Sequence, residues 1–336
     1  VWKNALNNAK RRKQAERVKK SPDHEKAMEM MDEFGFYFEG NCYYGVSDDG
    51  EKVRWSNFRL RPLFHIKDDV RPLRLFEIKN SDSDNPAELI EFDMDSLTAV
   101  RAFRKKLLGT GNYDWKMGER ELVKLLAYLA KDTPSACLIK QMGHQRQGFY
   151  AFANGVLNEE TLKWIPIDDM GIVELPGKGT FYLPALSRVY QASTELFVNE
   201  RKFFCGEDHP LTQRKYFEKV IGVFGDNAKV SLCFYVLSLF ADVVRSANIS
   251  LPMLNLFGPI GSGKTKLAKA LMCLFYDDPR PVGISSSVPS LADAVASVSN
   301  ALVHIDEYKN DIPLPKIEFL KNIYDAVGRT RVNMDL

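Results

Sequence analysis

The feature that most constrains this sequence is a glycine-rich octapeptide, Gly258-Pro259-Ile260-Gly261-Ser262-Gly263-Lys264-Thr265. It fits the pattern G-x-x-x-x-G-K-[ST] of the phosphate-binding P-loop. The mostly apolar residues before it, 251–257, predict a buried strand, and residues 266–275 after it have apolar residues at helical spacing. A strand, a glycine loop and a helix in this order turn backbone N–H groups and a helix N-terminus toward a phosphate chain.

The residues of the octapeptide have separate predicted roles. We expect the whole stretch, Gly258 to Thr265, to bind a nucleotide, with glycines because side chains would block the close approach of the phosphates. Lys264 is expected to reach the β- and γ-phosphates, and the Thr265 hydroxyl to ligate Mg²⁺. The alternative is a glycine-rich turn that matches the pattern by chance, which the flanking strand and helix patterns disfavour.

A second motif follows further along the chain. Residues 301–307, Ala-Leu-Val-His-Ile-Asp-Glu, form an apolar run that ends in two acids and has the pattern of a Walker B strand. We expect Asp306 to hold the Mg²⁺ ion and Glu307 to polarise the attacking water, so that both act with Lys264 in catalysis. Two solvated acids at a strand end are the alternative, which the preceding P-loop disfavours.

Composition limits the class of protein. With 336 residues the chain is long enough for roughly two or three domains. Its net charge is +2, so any affinity for nucleic acid has to come from local patches. The five cysteines have no C-x-x-C spacing, which favours a cytoplasmic location over a zinc site or a disulfide framework. The apolar run 230–244 contains Asp242 and is too short to span a bilayer, so it predicts a buried helix.

The patterns divide the chain into parts. The predicted order is a basic helical arm or linker, an α+β domain with an antiparallel sheet, a helical connector, and an α/β P-loop core made of a parallel sheet flanked by helices. The predicted bounds of these parts are 1–30, 31–200, 201–248 and 249–336. The first part is rich in lysine and arginine. It is either an arm that follows phosphates or, as we favour, a solvated linker helix.

We expect the chain to be a fragment of a longer protein. It begins at Val1 without a methionine and stops at Leu336 inside a region that the pattern predicts to be structured. The P-loop core is therefore expected to be truncated at its C-terminus. The polar sensor residue and the arginine finger of such cores are expected beyond Leu336.

The predicted antiparallel sheet contains candidate nucleic-acid contacts. Four arginines, Arg54, Arg59, Arg61 and Arg74, are interleaved with aromatic residues along the predicted strands. This pattern is typical of a face that binds a single strand. A half-solvated sheet with a basic outer side explains the pattern equally well, and both interpretations stay open.

A pair of acids with D-x-D spacing, Asp93-Met94-Asp95, follows the last predicted strand of this sheet. Such a pair can hold two metal ions at a strand end. However, Asp95-Ser96 also stands where the N-cap of a helix over 96–108 belongs. No further acid or histidine at suitable spacing completes a metal site, so we favour the cap.

The order of these patterns resembles a known arrangement. Two helical stretches, over about 96–108 and 119–130, are followed by a strand and Gly143-His144, a strand pattern at Phe149–Leu157, helices and the P-loop. This order resembles the domain that primase-helicase proteins of plasmids, prophages and integrative elements carry beside a helicase motor. The matching segments are Leu125–Met142, Gly143-His144, Phe149–Leu157, Gly258–Thr265 and Leu302–Glu307.

The resemblance implies an ATP-dependent DNA helicase or translocase of a mobile element or phage that acts with a primase in replication. It also implies ATP and Mg²⁺ as cofactors, single-stranded DNA as a partner, and a homo-oligomer in the form of a hexameric ring. Two alternatives remain open. One is a non-motor P-loop ATPase, such as an initiator, a loader or a transposition regulator. The other is a nucleic-acid-binding module whose truncated ATPase is inactive.

Overall fold

A computed structural model describes residues 24–206, 211–247, 249–309 and 311–324. The chain divides into two compact units. The first comprises Val1–Leu138 and Thr180–Tyr182, and the second comprises Ile139–Gly179 and Leu183–Leu336. This division falls inside the α+β domain that the sequence predicts over 31–200. Most of the predicted basic arm lies outside the described residues.

Strands and helices are numbered along the described chain. The strands are β1 (Tyr37–Glu39), β2 (Cys42–Val46), β3 (Lys52–Arg54), β4 (Phe58–Lys67), β5 (Leu73–Asn80), β6 (Glu88–Asp93), β7 (Ser135–Leu138), β8 (Met142–Gln145), β9 (Phe149–Phe152), β10 (Gly155–Asn158), β11 (Trp164–Pro166), β12 (Ile172–Leu175), β13 (Gly179–Tyr182), β14 (Val282–Gly283), β15 (Val298–Ser299) and β16 (Ile305–Asp306). The helices are α1 (His24–Phe34), α2 (Met94–Thr98), α3 (Val100–Thr110), α4 (Glu119–Ala130), α5 (Val198–Lys202), α6 (Gln213–Phe224), α7 (Asp226–Leu239), α8 (Ala241–Ser246), α9 (Lys264–Met272), α10 (Val288–Ala296) and α11 (Leu314–Tyr324).

The first unit is built on a mixed sheet. Strands β4, β5 and β6 are antiparallel neighbours, as the sequence predicts for this region. Strand β7 then adds to β4 in parallel, and β13 adds to β7 in parallel, so the strand order within this unit is β13-β7-β4-β5-β6. A smaller antiparallel sheet, β1-β2-β3, belongs to the same unit. The predicted antiparallel sheet is therefore present, with two parallel additions.

Aromatic side chains fill the core of the first unit. One face of β4–β6 contributes Phe58, Phe76 and Phe92, which are each buried. The helical segment that covers this face contributes Phe103, whose ring stacks on Phe92 with centroids 5.4 Å apart and meets Trp115 edge-on at 5.7 Å. Fully burying one such side chain contributes about 1.5–3 kcal/mol, and favourable aromatic geometry adds to it.

The helix predicted over 96–108 is two helices. It breaks at Ala99, whose backbone is extended, so that α2 ends at Thr98 and α3 begins at Val100. By contrast, α4 has the bounds that the sequence predicts. Its amphipathic pattern starts after Gly118, and the Glu121 carboxylate accepts a hydrogen bond from the backbone N–H of Gly118 at 3.3 Å, which fixes the first turn.

A five-stranded sheet lies at the start of the second unit, in the order β11-β10-β9-β8-β15. Strands β8 to β11 are antiparallel neighbours along the chain, whereas β15 comes from far along the chain and pairs with β8 in parallel. Gly143 makes this pairing possible: its φ is +88°, and a Cβ atom there would overlap the carbonyl oxygen of Ser299. Glycine at this position is therefore a steric requirement of the sheet.

The region of the predicted helical connector contains three consecutive helices, α6, α7 and α8. The buried helix predicted over 230–244 is divided between α7 and α8 and is partly exposed, with Val230 63% and Val243 58% exposed. The Thr212 side chain caps α6, and Gly225, with φ +62°, separates α6 from α7. Helix α9 packs on this group, and the Tyr216 hydroxyl donates to the carbonyl of Ala270 at 2.8 Å. Within the described ranges, no helix combines the length and the apolar character needed to cross a bilayer.

The strand predicted over 251–257 is not formed in the structure, so this prediction was wrong. This segment is mostly exposed; Met253 is 49% exposed and Phe257 is 95% exposed. A strand needs a neighbour for its backbone groups, and the described residues provide none here. The predicted parallel sheet is therefore reduced to the pair β14 and β16, accompanied by helices α9, α10 and α11.

Candidate functional site

The loop that precedes α9 is shaped by its glycines. Gly261 has φ +83° and Gly263 has φ +87°, a left-handed conformation that side chains with a Cβ rarely adopt. Gly263 is the N-cap residue of α9, and no side chain caps this helix within the described chain. Since the first N–H groups of a helix have no partner inside it, the loop leaves these donors available to an anion.

Lys264 is the first residue of α9 and reaches back over the loop. Its Nζ atom donates to the carbonyl oxygens of Gly258 and Pro259, both at 2.7 Å, and lies 3.4 Å from Ser262 Oγ. The ammonium group is thus held against the loop by neutral acceptors. A phosphate oxygen carries a full charge and forms a stronger hydrogen bond with an ammonium group than a carbonyl does.

Helix α9 is anchored on its opposite face. Leu267, Ala268, Leu271 and Met272 are buried, while Thr265 is exposed at the loop end of the helix. A Cβ at Gly263 would lie 3.2 Å from the ring of Phe224, so α6 leaves little space beside the loop. Burial therefore fixes the helix, and the loop end remains accessible.

The predicted Walker B strand over 301–307 is shortened to β16. Ile305 pairs with Val282 and Asp306 with Gly283 in parallel, and the ladder extends through the N–H of Ile284, which donates to the carbonyl of Asp306 at 3.0 Å. Buried residues of β14, α10 and α11 form a small apolar cluster against which Ile305 packs. This cluster holds Asp306 at the carboxyl end of the strand.

The two acids at this strand end contact each other locally. The backbone N–H of Glu307 donates to Asp306 Oδ1 at 2.8 Å. Glu307 has φ +62°, a left-handed conformation that costs a non-glycine residue energy and is found most often at functional sites. Burial lowers the pKa of His304, the residue before β16, and the charge of Asp306 partly opposes this effect.

In the structure, the predicted site residues fall into two groups. Residues Gly258–Thr265 form one group and Asp306–Glu307 the other. Among the residues that the structure describes, no hydrogen bond or ion pair joins Lys264 or Thr265 to either acid. The described residues also contain no cluster of three metal-ligating side chains.

Sequence reasoning missed a polar network in the second unit. His144 Nδ1 lies 3.4 Å from Asp242 Oδ2, and His144 Nε2 lies 3.3 Å from Glu159 Oε1. Asn300 donates through Nδ2 to Leu239 O at 3.0 Å and to Asp242 Oδ1 at 2.5 Å. The sequence signals were Asp242, an acid inside an apolar run, and the Gly143-His144 pair, but nothing in the pattern joined them.

The network links β8 to the segment before Asp306. Burial raises the pKa of Asp242, but the hydrogen bond from Asn300 and the other partners outweigh it and hold this pKa below its usual value. Gln141 Nε2 donates to Ala296 O at 2.8 Å and to Val298 O at 2.9 Å. The Gly143-His144 segment is therefore an attachment point for residues 296–300.

The four candidate arginines do not share one surface. Arg54 lies on β3, in the smaller sheet, and pairs with Asp82 at 2.6 Å. Arg59 and Arg61 lie on the same face of β4, where Arg59 stacks over the Phe38 ring at 3.4 Å and Arg61 pairs with Glu77 at 2.6 Å. Arg74 pairs in register with Phe92, on the opposite face of the sheet. Their role in binding nucleic acid stays a prediction.

The D-x-D pair is part of a helix cap, with one change of residue. The backbone N–H of Ser96 donates to Asp93 Oδ1 at 2.7 Å, so the cap is Asp93, and not Asp95 as the sequence predicts. The hydrogen bonds from Ser96, first from its side chain and then from its backbone, lower the pKa of Asp93 against the opposing effect of burial. The pair therefore contains the helix cap, as predicted, but the capping residue lies two positions earlier than expected.

Comparisons with known proteins add little to this geometry. No protein-family model matches the sequence, and no curated protein matches it. Among solved structures the chain is similar to one described as "SCCmec type IV Cch - active helicase", with a TM-score of 0.38 and 12% identity. The match covers 80% of this chain and 47% of that chain, so this chain spans less than half the length of that protein. A TM-score this low establishes neither a shared fold nor a shared function.

Proposed function

We propose that this chain is a Mg²⁺-dependent ATPase whose nucleotide site is formed by Gly258–Thr265, Asp306 and Glu307. The observation that carries the proposal is the start of α9: a left-handed Gly263, no capping side chain in the described chain, and Lys264 folded back over the loop. A helix end of this kind combines free N–H donors, the positive end of the helix dipole and an ammonium group.

The β- and γ-phosphates of ATP suit this arrangement. The loop offers N–H donors at close range because Gly261 and Gly263 carry no Cβ. Lys264 exchanges its two carbonyl acceptors for charged phosphate oxygens, which is a gain in hydrogen-bond strength. The exposed Thr265 hydroxyl lies at the same helix end and is the proposed Mg²⁺ ligand from the loop.

The acids at the end of β16 supply the remaining groups. Asp306 offers carboxylate oxygens, which Mg²⁺ prefers as ligands. The bound ion would neutralise charge on the transferred phosphate. Glu307, next to the metal ligand, would accept a hydrogen bond from the attacking water and orient it. The hydrogen bond from the Glu307 N–H to Asp306 fixes the relative position of the two residues.

We further propose that ATP hydrolysis drives movement on single-stranded DNA, as in a helicase of a mobile element that acts with a primase and assembles as a hexameric ring. The attachment of residues 296–300 to β8 supports coupling, because a shift of the segment before Asp306 would also move the five-stranded sheet. We also propose the four domains with the bounds given in the sequence analysis, and a cytoplasmic location. Single-strand translocation distinguishes this motor from a non-motor ATPase.

Lys264→Ala tests the nucleotide site. Losing one partner of a charged hydrogen-bonded pair costs about 2–5 kcal/mol, so the affinity for Mg²⁺-ATP should fall by about 30-fold or more. Isothermal titration calorimetry measures it. The matched control is Lys266→Ala, which removes an exposed cation two positions along the same helix and should leave the affinity unchanged. Equal affinities in the Lys264→Ala variant and the wild type would refute the proposed site.

A further inference from the structure

A basic groove lies in the first unit and includes none of the residues proposed for the nucleotide site. It runs between α3 and the segment 116–119 and has a volume of about 820 Å³. Four cationic residues line it, Arg101, Arg104, Lys105 and Lys116, against one acid, Glu119. The cations come from two segments that only the fold brings into contact, so the sequence pattern alone does not show the groove.

The charges of the groove are largely uncompensated. The Glu119 carboxylate accepts the backbone N–H of Val100 at 3.0 Å, so it serves partly as a helix cap. Lys116 has only a distant partner, Asp114, at 4.0 Å. Within the described part of the chain, neither Arg101 nor Lys105 forms an ion pair. Clustered like charges repel one another, so a concave surface of this kind fits a polyanion.

Arg104 is held in place at the groove. Its Nε donates to the carbonyl of Trp115 at 2.8 Å, and its Nη2 donates to the carbonyl of Met117 at 3.1 Å. A guanidinium group has five N–H donors, so others remain for a ligand. Because the protein already fixes its position, this group loses little conformational entropy when it binds a phosphate.

The groove also has an apolar side. Leu108 lines it and is 71% exposed, although it is a large apolar residue. Met117 and Val100 add further apolar surface. A single strand offers both phosphates for the cations and unstacked bases or sugars for the apolar side chains, whereas a duplex keeps its bases stacked inside. The combination therefore favours single-stranded over double-stranded nucleic acid.

We propose that this groove binds the backbone of single-stranded DNA, with Arg101, Arg104, Lys105 and Lys116 as the phosphate contacts. The choice of DNA as the ligand rests on the proposed function, while the site itself rests on the groove. The proposed phosphate contacts therefore do not include the arginines of the sheets. Arg54 and Arg61 are already paired with carboxylates, which weakens their attraction for a phosphate.

Fluorescence anisotropy of a labelled oligothymidine with the full chain tests the groove. The double variant Arg101→Ala/Lys105→Ala should bind at least about tenfold more weakly at low salt. Each lost phosphate contact reduces the slope of log K against log salt by about 0.7 for a single strand, so two lost contacts should flatten it by about 1.4. The matched control is Lys67→Ala/Lys79→Ala, which removes the same charge from two exposed positions of the sheet and should retain wild-type binding.

Three outcomes would overturn the proposal. One is an unchanged salt slope in the groove variant, and another is a loss of affinity in the sheet variant alone. The third is duplex DNA that binds as tightly as the oligothymidine and responds equally to the groove variant. Circular dichroism melting checks that both variants fold. Calorimetric ATP affinity should be unchanged in the groove variant, so a failure of the groove is separate from a failure of the nucleotide site.

Discussion

Two junctions of this chain share one predicted order, a strand followed by a helix, and have different structures. In the first unit, β6 leads into α2, and Phe92 near the end of the strand is fully buried. In the second unit, residues 251–257 lead into the glycine-rich loop and α9. Phe257, the last residue of this segment, is 95% exposed. The difference is the neighbour: β6 pairs with β5 over its whole length, and residues 251–257 pair with nothing that the structure describes.

The helix ends at these junctions differ in the same way. Asp93 closes the N-terminus of α2 with its carboxylate, whereas α9 begins after a left-handed glycine and has no side-chain cap in the described chain. A capped end has satisfied its donors and contributes stability. An uncapped end retains its donors and can bind an anion. The comparison teaches that one junction serves the fold and the other is available for chemistry.

The largest expected effect is on the free energy of unfolding, when a buried ring is removed. Phe92→Ala should lower the free energy of unfolding of the first unit by about 3–5 kcal/mol, since it removes a fully buried ring and leaves a cavity. Phe257→Ala, the matched variant at the other junction, should change the free energy of unfolding of the second unit by less than about 0.5 kcal/mol. Urea denaturation followed by tryptophan fluorescence measures both. Similar losses in the two variants would remove the contrast between the junctions.

A second prediction concerns the two acidic strand ends, Asp93 after β6 and Asp306-Glu307 after β16. Glu307→Gln should lower the rate of ATP hydrolysis by at least about 10²-fold, or about 2.7 kcal/mol in the barrier, because it removes the proposed base. ATP binding should persist. Single-turnover phosphate release measures the rate, and calorimetry the binding.

Asp306→Asn separates the roles of the paired acids. It should raise the Mg²⁺ concentration required for hydrolysis, since a neutral amide is a weaker ligand for a hard cation. Asp93→Ala is the control at the structural strand end and should leave hydrolysis unchanged. Wild-type turnover in the Glu307→Gln variant would mean that the catalytic acid lies elsewhere in the protein.

The smallest expected effect is that of the cap itself. Asp93→Ala should cost about 1 kcal/mol at pH 7, the usual contribution of an N-cap side chain. The folded-state pKa of Asp93 is lowered, so this contribution is present above the unfolded pKa and is lost as the pH falls through the folded pKa. Asp95→Ala should have almost no effect. An equal loss in both variants, or a difference between them that does not shrink as the pH falls, would contradict the assignment of the cap to Asp93.

Local patterns predicted those parts of the fold that depend on neighbours in sequence. The bounds of α4 follow from its amphipathic spacing and the signals at Gly118 and Glu121. Gly258–Thr265 and the pair Asp306-Glu307 could be proposed as site residues for the same reason, since each pattern lies within a few residues. The antiparallel strands β4–β6 also follow one another along the chain.

Features that depend on distant partners could not be predicted. Residues 251–257 have the composition of a strand, but composition does not supply a neighbour. The arginines alternate with aromatic residues along the chain, yet Arg54 belongs to another sheet and Arg74 to another face. Nothing near Gly143 in sequence shows that its missing Cβ makes room for Ser299.

That last contact has a consequence for the order of folding. Gln141 and Val298 are 157 positions apart, so β8 has no partner on one side until the ribosome has made residues 298–299. Until then β8 is an open sheet edge, on which another chain can pair. Long-range parallel pairing of this kind is intrinsically slow. During synthesis, the open edge of β8 is therefore exposed to misassembly, and completion of the segment before Asp306 ends that exposure.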